Sequence, residues 1–311
     1  MTQAETILIA GPTASGKSAL ALALAGQLGG VVINADSMQV YAGLNILTAR
    51  PAAADLARAP HRLYGHVPTS EAYSVGRWLA DAARELAAAH ELGLVPIIVG
   101  GTGLYFHAAL HGLTPVPDIA LPVRTHWRAE AERLGPEALH AVLASRDPVM
   151  AGRLRPSDPQ RVTRALEVLH GTGRSLAEWA RDTGRPLLEE ASVVRAVLLP
   201  EREALYHRCN RRFDLMLEAG ALTEVDALLA LGLATEKPAM RALGVRPLAA
   251  HLRGELTLAA AAEQAKAETR HYAKRQTTWI RGRMGDWPQL DAGDAPAAAL
   301  LMLSRLRAAE R

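Results

Sequence analysis

The eight residues Gly11-Pro12-Thr13-Ala14-Ser15-Gly16-Lys17-Ser18 match G-x-x-x-x-G-K-[ST], a loop that works at only one kind of junction. It needs a buried strand before it and a helix after it, because the backbone must curl until several N–H groups face one anion and a helix dipole adds its positive end. Both neighbours are present. Thr6, Ile7, Leu8, Ile9 and Ala10 form an apolar, β-prone run, and Ala19 to Leu28 is rich in strong helix formers. The predicted fold is therefore α/β: a P-loop NTPase-like core, its parallel sheet flanked by helices, plus a helical insertion described below. All eight loop residues are candidate phosphate ligands, with Lys17 neutralising phosphate oxygens and the Ser18 hydroxyl holding a Mg²⁺ ion. A plain glycine turn is the blander alternative.

The loop does not name its phosphate. Val31-Val32-Ile33-Asn34-Ala35-Asp36 reads as a second buried strand ending in a carboxylate, and Val95-Pro96-Ile97-Ile98-Val99 as a third ending at Gly100-Gly101-Thr102-Gly103. Ligands of open parallel sheets bind beyond the carboxyl ends of the strands, so Asp36 and Thr102 are expected to face the same crevice as the loop. An ATPase would usually end one of these strands in an acid for its metal. The third strand ends in Gly-Gly-Thr-Gly instead, which leaves Asp36 as the best-placed carboxylate, or else as a capping aspartate in a turn before Ser37 and Met38.

At 311 residues and 49% hydrophobic content, the chain can bury one large core, or one core with a smaller second domain. No run of eighteen apolar residues occurs, and Met1 to Glu5 lacks a basic n-region, so the expected compartment is cytoplasmic with no membrane contact. Its single cysteine, Cys209, excludes an intrachain disulfide and a multi-cysteine zinc site and reads as an inert, partly buried residue. The formal charge of +3 hides a strong bias, because only Lys17, Lys237, Lys266 and Lys274 are lysines among 35 basic residues. Arginine richness by itself is thus weak evidence for nucleic acid.

Residues 116–185 show no strand pattern and carry eleven Arg and nine acidic residues. Asp158-Pro159 supplies a cap and first helical position, and Ser175-x-x-Glu178 a capping box. The expected organisation is residues 1–115 as the first part of the core, 116–185 as the insertion, and 186–311 as core completion and basic C-terminal helices. In the last part, Arg208 and Arg212 lie four apart on one helix face, either as an anion clamp or as solvent-facing charges. Lys266, Arg270 and Lys274 repeat every four residues before Arg275, Arg281 and Arg283, with Tyr272 and Trp279 interleaved, as a phosphate-tracking stripe would. Trp279 could equally anchor its helix to the core. Ala297 to Leu306 reads as a closing amphipathic helix.

Five segments in order, GPTASGKS, NADSMQVYAGLNILTARP, PHRLYGHVP, VGGTGLY and DPQRVTRALEV, make the chain resemble the tRNA dimethylallyltransferases, also called tRNA isopentenyltransferases. The likeness runs from residue 7 to about residue 284, and the lone cysteine fits the compact bacterial type without a zinc finger. It implies transfer of a dimethylallyl group from its diphosphate to the exocyclic amine of the adenosine just 3′ of the anticodon. On that implication residues 11–18 hold the donor's diphosphate with Mg²⁺, with Thr13, Lys17 and Asp36 catalytic and Asp36 the general base. Arg212, then Arg208, becomes a diphosphate ligand. Ser37, Met38, Gln39, Thr102, Arg124, Gln160, Arg161, Val162, Thr163, Arg164, Arg241 and Arg246 join Asp36 as contacts to the tRNA anticodon stem-loop. Spacing alone would make Gln160 to Arg164 a solvated helix face. No protein partner is expected, and the chain reads as a monomer.

Other readings remain open from the residues themselves. A nucleoside or nucleotide kinase would use the same loop, a nearby Asp and an arginine-bearing helical lid. A prenyltransferase acting on free adenine nucleotides would share the loop and Asp36 but lack the insertion helix, and a non-catalytic RNA-binding protein would not need Lys17, Ser18 and Asp36 intact.

Overall fold

The first apolar run forms β1 (Thr6–Ala10), buried at every residue, and the loop after it opens directly into α1 (Lys17–Leu28). These and the elements below come from a computed structural model, which describes residues 6–182, 184–290, 297–299, 301–302 and 304. Met1 to Glu5 lies outside the described residues. So does part of the expected closing helix, of which residues 297–299, 301, 302 and 304 are helical.

Chain order continues through β2 (Gly30–Asn34), α2 (Ala53–Leu56), β3 (His61–Arg62), α3 (Val75–Glu91), β4 (Val95–Gly100) and α4 (Gly103–His111). Then come α5 (Leu121–Arg146), α6 (Pro148–Ala151), α7 (Pro159–Thr172), α8 (Leu176–Trp179), β5 (Val193–Leu198), α9 (Arg202–Glu218), α10 (Ala221–Ala230), α11 (Val245–Leu252), α12 (Leu258–Arg283) and β6 (Gln289–Leu290). The six strands pair in parallel in the order β3-β2-β4-β1-β5-β6, with Ala10 opposite Gly100 and Asn34 opposite Val99. The loops after β1, β2 and β4 therefore leave the sheet along one edge.

Strand side chains alternate between two buried layers, which is why these strands read as continuous apolar runs. Ile7, Ile9, Val32 and Ile97 pack with Leu20 and Leu24 of α1, whereas Leu8, Ile33 and Ile98 pack with Trp78 of α3, Phe106 of α4 and Ile280 of α12. A third core joins Val40, Tyr41 and Leu44 to Phe213, Val225, Leu248 and Ala265 from α9 to α12. The second strand is shorter than its sequence pattern. It ends at Asn34, whose buried side chain accepts the Asp36 N–H at 2.8 Å and donates to the carbonyls of Asp36 and Leu63, each at 3.0 Å. Those bonds turn the chain out of the sheet and set Asp36 in the loop.

The chain divides into two compact units, residues 1–110 with 187–311, and residues 111–186. The second is all helical. Trp127, Leu139, Leu143, Val162, Ala165 and Leu166 fill its core, and α5 is broken where Gly135 takes φ 76° before Pro136. Asp158 caps α7, accepting from Arg161 N, with Pro159 in the first turn as the sequence implies. The capping box at Ser175 does not form as read. The Ser175 hydroxyl accepts from Ala177 N at 3.0 Å and donates to Asp147 at 2.6 Å, because it also ties α8 to the start of α6. Among the described residues, no helix is long and apolar enough to cross a membrane.

Candidate active site

In the phosphate loop, positive φ at Ala14 (61°) and Gly16 (92°) alternates with ordinary residues. This is the backbone pattern that gathers N–H groups into a concave anion nest just before α1. The Lys17 ammonium folds back over it and donates to the Pro12 carbonyl at 3.2 Å. Burial first, opposed by the nearby Asp36 carboxylate and reinforced by the Arg212 guanidinium, pulls that ammonium down to about 8. Arg212, from the middle of α9, donates to the Thr13 hydroxyl. Arg212 is thus the arginine of the pair that reaches the loop, while Arg208 sits one turn earlier on the same helix. The Ser18 side chain is exposed in the first turn of α1.

Asp36 lies across the same sheet edge. One carboxylate oxygen accepts the Met38 N–H at 2.9 Å, so the capping role open from the sequence is real, and it still leaves the other oxygen. Three phenols crowd near it: burial first and the Asp36 charge second push Tyr64, Tyr105 and Tyr272 well up from the usual tyrosine range. They stay neutral, so the Asp36 carboxylate is set among uncharged phenols. Thr102, beyond β4, accepts the Ser37 N–H at 2.9 Å and donates to the Ser37 hydroxyl at 3.3 Å, joining the loops after β2 and β4. Gln39 turns inward, its amide donating to the Thr48 and Ala49 carbonyls at 2.8 and 2.9 Å. Among the described residues, no group of three or more His, Cys, Asp or Glu could hold a metal. The exposed Ser18 hydroxyl beside the loop is a hard oxygen donor of the kind that could hold a divalent ion together with phosphate oxygens.

A family model described as IPP transferase matches residues 39–283, and one described as isopentenyl transferase matches residues 4–69. A tRNA dimethylallyltransferase of Azorhizobium caulinodans is 55% identical over 281 residues, covering 90% of each chain. The chain belongs to the IPP transferase family. Two solved structures are similar to this chain. One is a tRNA isopentenylpyrophosphate transferase from Bacillus halodurans, at 32% identity and TM-score 0.69, covering 98% of this chain and 96% of that one. The other is a eukaryotic dimethylallyltransferase acting on tRNA, at 30% identity and TM-score 0.79, covering 93% of this chain and 74% of that one. The family assignment displaces the lid-bearing kinase.

The remaining residues that the family likeness singles out fall into two groups. Gln160, Arg161 and Arg164 are exposed on α7 and Arg124 is half-buried on α5, all within the helical unit. Val162 is fully buried in that unit's core, and the Thr163 hydroxyl donates to the Pro159 carbonyl at 2.7 Å. The run Gln160 to Arg164 therefore offers three outward side chains, because a helix can present only one face. Arg241 and Arg246 are exposed before and at the start of α11.

The C-terminal basic stripe is less uniform than its spacing implies. Lys266 is largely covered and pairs with Asp214 at 2.7 Å and Glu263 at 3.0 Å, and Arg270 donates to Asn210 at 2.6 Å. Lys274 and Arg275 do face outward. With His271, Thr278 and Trp279 they line a cavity of about 450 Å³. Trp279 itself packs against the core of the α/β unit. Sequence reasoning missed Asn34, Gln276 and Glu224, whose carboxylate accepts the N–H groups of Asn45, Ile46 and Leu47 at 2.5 to 2.9 Å. Each acts on backbone far away in the chain, a role with no local motif.

Proposed function

We propose that this protein transfers a dimethylallyl group from dimethylallyl diphosphate to the exocyclic N6 amine of the adenosine 3′-adjacent to the anticodon in tRNA. One observation carries the reading: the cationic loop with Lys17 and Arg212, and a carboxylate set among neutral phenols, share one edge of the sheet. The first arrangement suits a departing diphosphate. The second suits a proton leaving an amine.

The adenine N6 lone pair is delocalised into the ring, so the amine attacks well only if its proton is accepted as the new bond forms. In this reading N6 attacks C1 of the dimethylallyl group, the C1–O bond breaks, and its electron pair leaves with diphosphate. Asp36 accepts the N6 proton. Lys17, the loop N–H groups and the Arg212–Thr13 pair hold the charge that develops on the departing oxygen, where fixed donors act most strongly. Bound Mg²⁺, held by Ser18 and the phosphates, would add neutralising charge to the diphosphate. The acceptor base must be unstacked to reach Asp36, so the enzyme also needs a grip on the RNA strand. Gln160, Arg161, Arg164, Arg124, Arg241 and Arg246 supply it, with Ser37 and Thr102 beside the base and Val162 and Thr163 supporting α7 from within. The reading takes a monomer as the working unit and the cytoplasm as its compartment.

The test is transfer of labelled dimethylallyl diphosphate to an unmodified anticodon stem-loop, to the same stem-loop with guanosine replacing that adenosine, and to AMP. Label in the first RNA only is the expected result. Label in AMP would move the reading to a free-nucleotide prenyltransferase, and no label anywhere would end it.

A further inference from the structure

The side chain of Gln276 is buried beneath the phosphate loop and takes part in two long-range hydrogen bonds. Its Oε1 accepts the Thr13 N–H at 2.8 Å, and its Nε2 donates to the Gly101 carbonyl at 2.8 Å. One amide thus joins the loop after β1 to the turn after β4. The approach is so close that a Cβ on residue 101 would lie 2.2 Å from Gln276 Nε2, which accounts for glycine there. The rest of this α12 face meets the same turn. Tyr272, one helical turn before Gln276, lies against the Thr102 side chain, and Trp279, three residues after it, covers Gly103. Positions 272, 276 and 279 form a single helical stripe.

The consequence is chemical as well as structural. Thr13 carries the hydroxyl that Arg212 grips, and Thr102 carries the hydroxyl that holds Ser37 next to Asp36. We propose that Gln276 is a positioning residue for prenyl transfer, its amide fixing the diphosphate cradle relative to the loops that present Asp36 to the acceptor amine. The proposal rests on the function given above. Glutamine is the side chain that fits, because it must accept from an N–H at one end and donate to a carbonyl at the other. A carboxylate would face the Gly101 carbonyl with no proton to give.

Three variants test it: Gln276→Met, which keeps the volume and loses both bonds, Gln276→Glu, and Gly101→Ala. Isothermal titration with inorganic diphosphate and Mg²⁺ reads the cradle without any prenyl chemistry, so it stands even if the function above is wrong. For Gln276→Met and Gly101→Ala, diphosphate affinity is expected to fall about tenfold, as loss of buried hydrogen bonds predicts. Transfer by these two should lose more in kcat than in the KM for RNA. Gln276→Glu should recover activity relative to wild type as pH falls, because the protonated acid regains the donor to Gly101 and keeps the acceptor for Thr13. A Gln276→Met protein with wild-type diphosphate affinity and kcat would overturn the proposal. So would a Gln276→Glu profile parallel to wild type at every pH, a result that also decides the matter if the methionine variant does not fold.

Discussion

The polar side chains around the phosphate loop and those on the exposed face of α7 differ in how far along the chain they reach. In the α/β unit, side chains reach backbone or partners far away in sequence: Arg212 to Thr13 across 199 positions, Gln276 to Thr13 across 263, and Trp78 to the Asn34 carbonyl across 44. In the helical unit, the exposed arginines of α7 pair within one turn, Arg161 with Asp158 and Arg164 with Glu167, each at 3.3 Å. Convergent bonds fix geometry and exclude rearrangement, as bond-making chemistry requires. The Arg161–Asp158 pair is exposed, and such pairs contribute only about 0–1 kcal/mol, so a phosphate can replace that carboxylate at little cost, whereas the Glu167 carboxylate is buried and also faces Arg128. Under the proposed function, this is the contrast expected between groups that react and groups that grip RNA reversibly.

The sharpest way to break this contrast is Asp36→Asn. General bases contribute about 10²–10⁴-fold, so the single-turnover transfer rate should fall by that much while stem-loop affinity stays near wild type in a filter-binding assay. Next is Lys17→Met, which should weaken inorganic diphosphate by about 10–100-fold in calorimetry, the range for a charged hydrogen bond. The wild-type affinity should also decline as pH rises past about 8, because the ammonium is cationic only below that value, and the inflection should vanish in Lys17→Met. Stability should run the other way. With the folded value lowered to about 8 from 10.5, the unfolded chain holds the extra proton between those limits, so Lys17 makes the wild type gain stability as pH rises through that window.

In the helical unit, Val162→Ala should lower unfolding free energy by about 2 kcal/mol in urea titration, from two lost carbons and the cavity they leave. Arg161→Ala should leave folding nearly unchanged. The smallest effect expected is on RNA binding: Arg161→Ala and Arg164→Ala should each reduce the salt slope by about one, with kcat intact. A large kcat loss from either would mean that the helical unit takes part in the chemistry.

How legible each unit is follows from the same difference. The loop at residues 11–18, the three strands and the capped start of α7 are local patterns, and the structure keeps them with small shifts at their ends. Asp36 was recognisable as a strand-end carboxylate. Its exact setting was not, since the short β2 depends on Asn34 bonding to Leu63, 29 positions away. Gln276 lies in a basic, helix-forming run where charge dominates the pattern, and only the packing of α12 under the loop separates it from its exposed neighbours Lys274 and Arg275. Lys266 shows the reverse error, a lysine at stripe spacing that an acidic pair holds against the protein. Periodicity tells which residues share a face, and tertiary contacts decide what that face meets.

In the proposed reaction the phosphate loop holds a leaving group and not a nucleotide to be cleaved. Stoichiometry tests it most directly, by counting inorganic diphosphate released per prenyl group gained by the RNA, with ATP present as a competitor. One diphosphate per transfer is expected, with no ADP or inorganic phosphate formed from ATP. Phosphate transfer or ATP cleavage without prenylated RNA would contradict it.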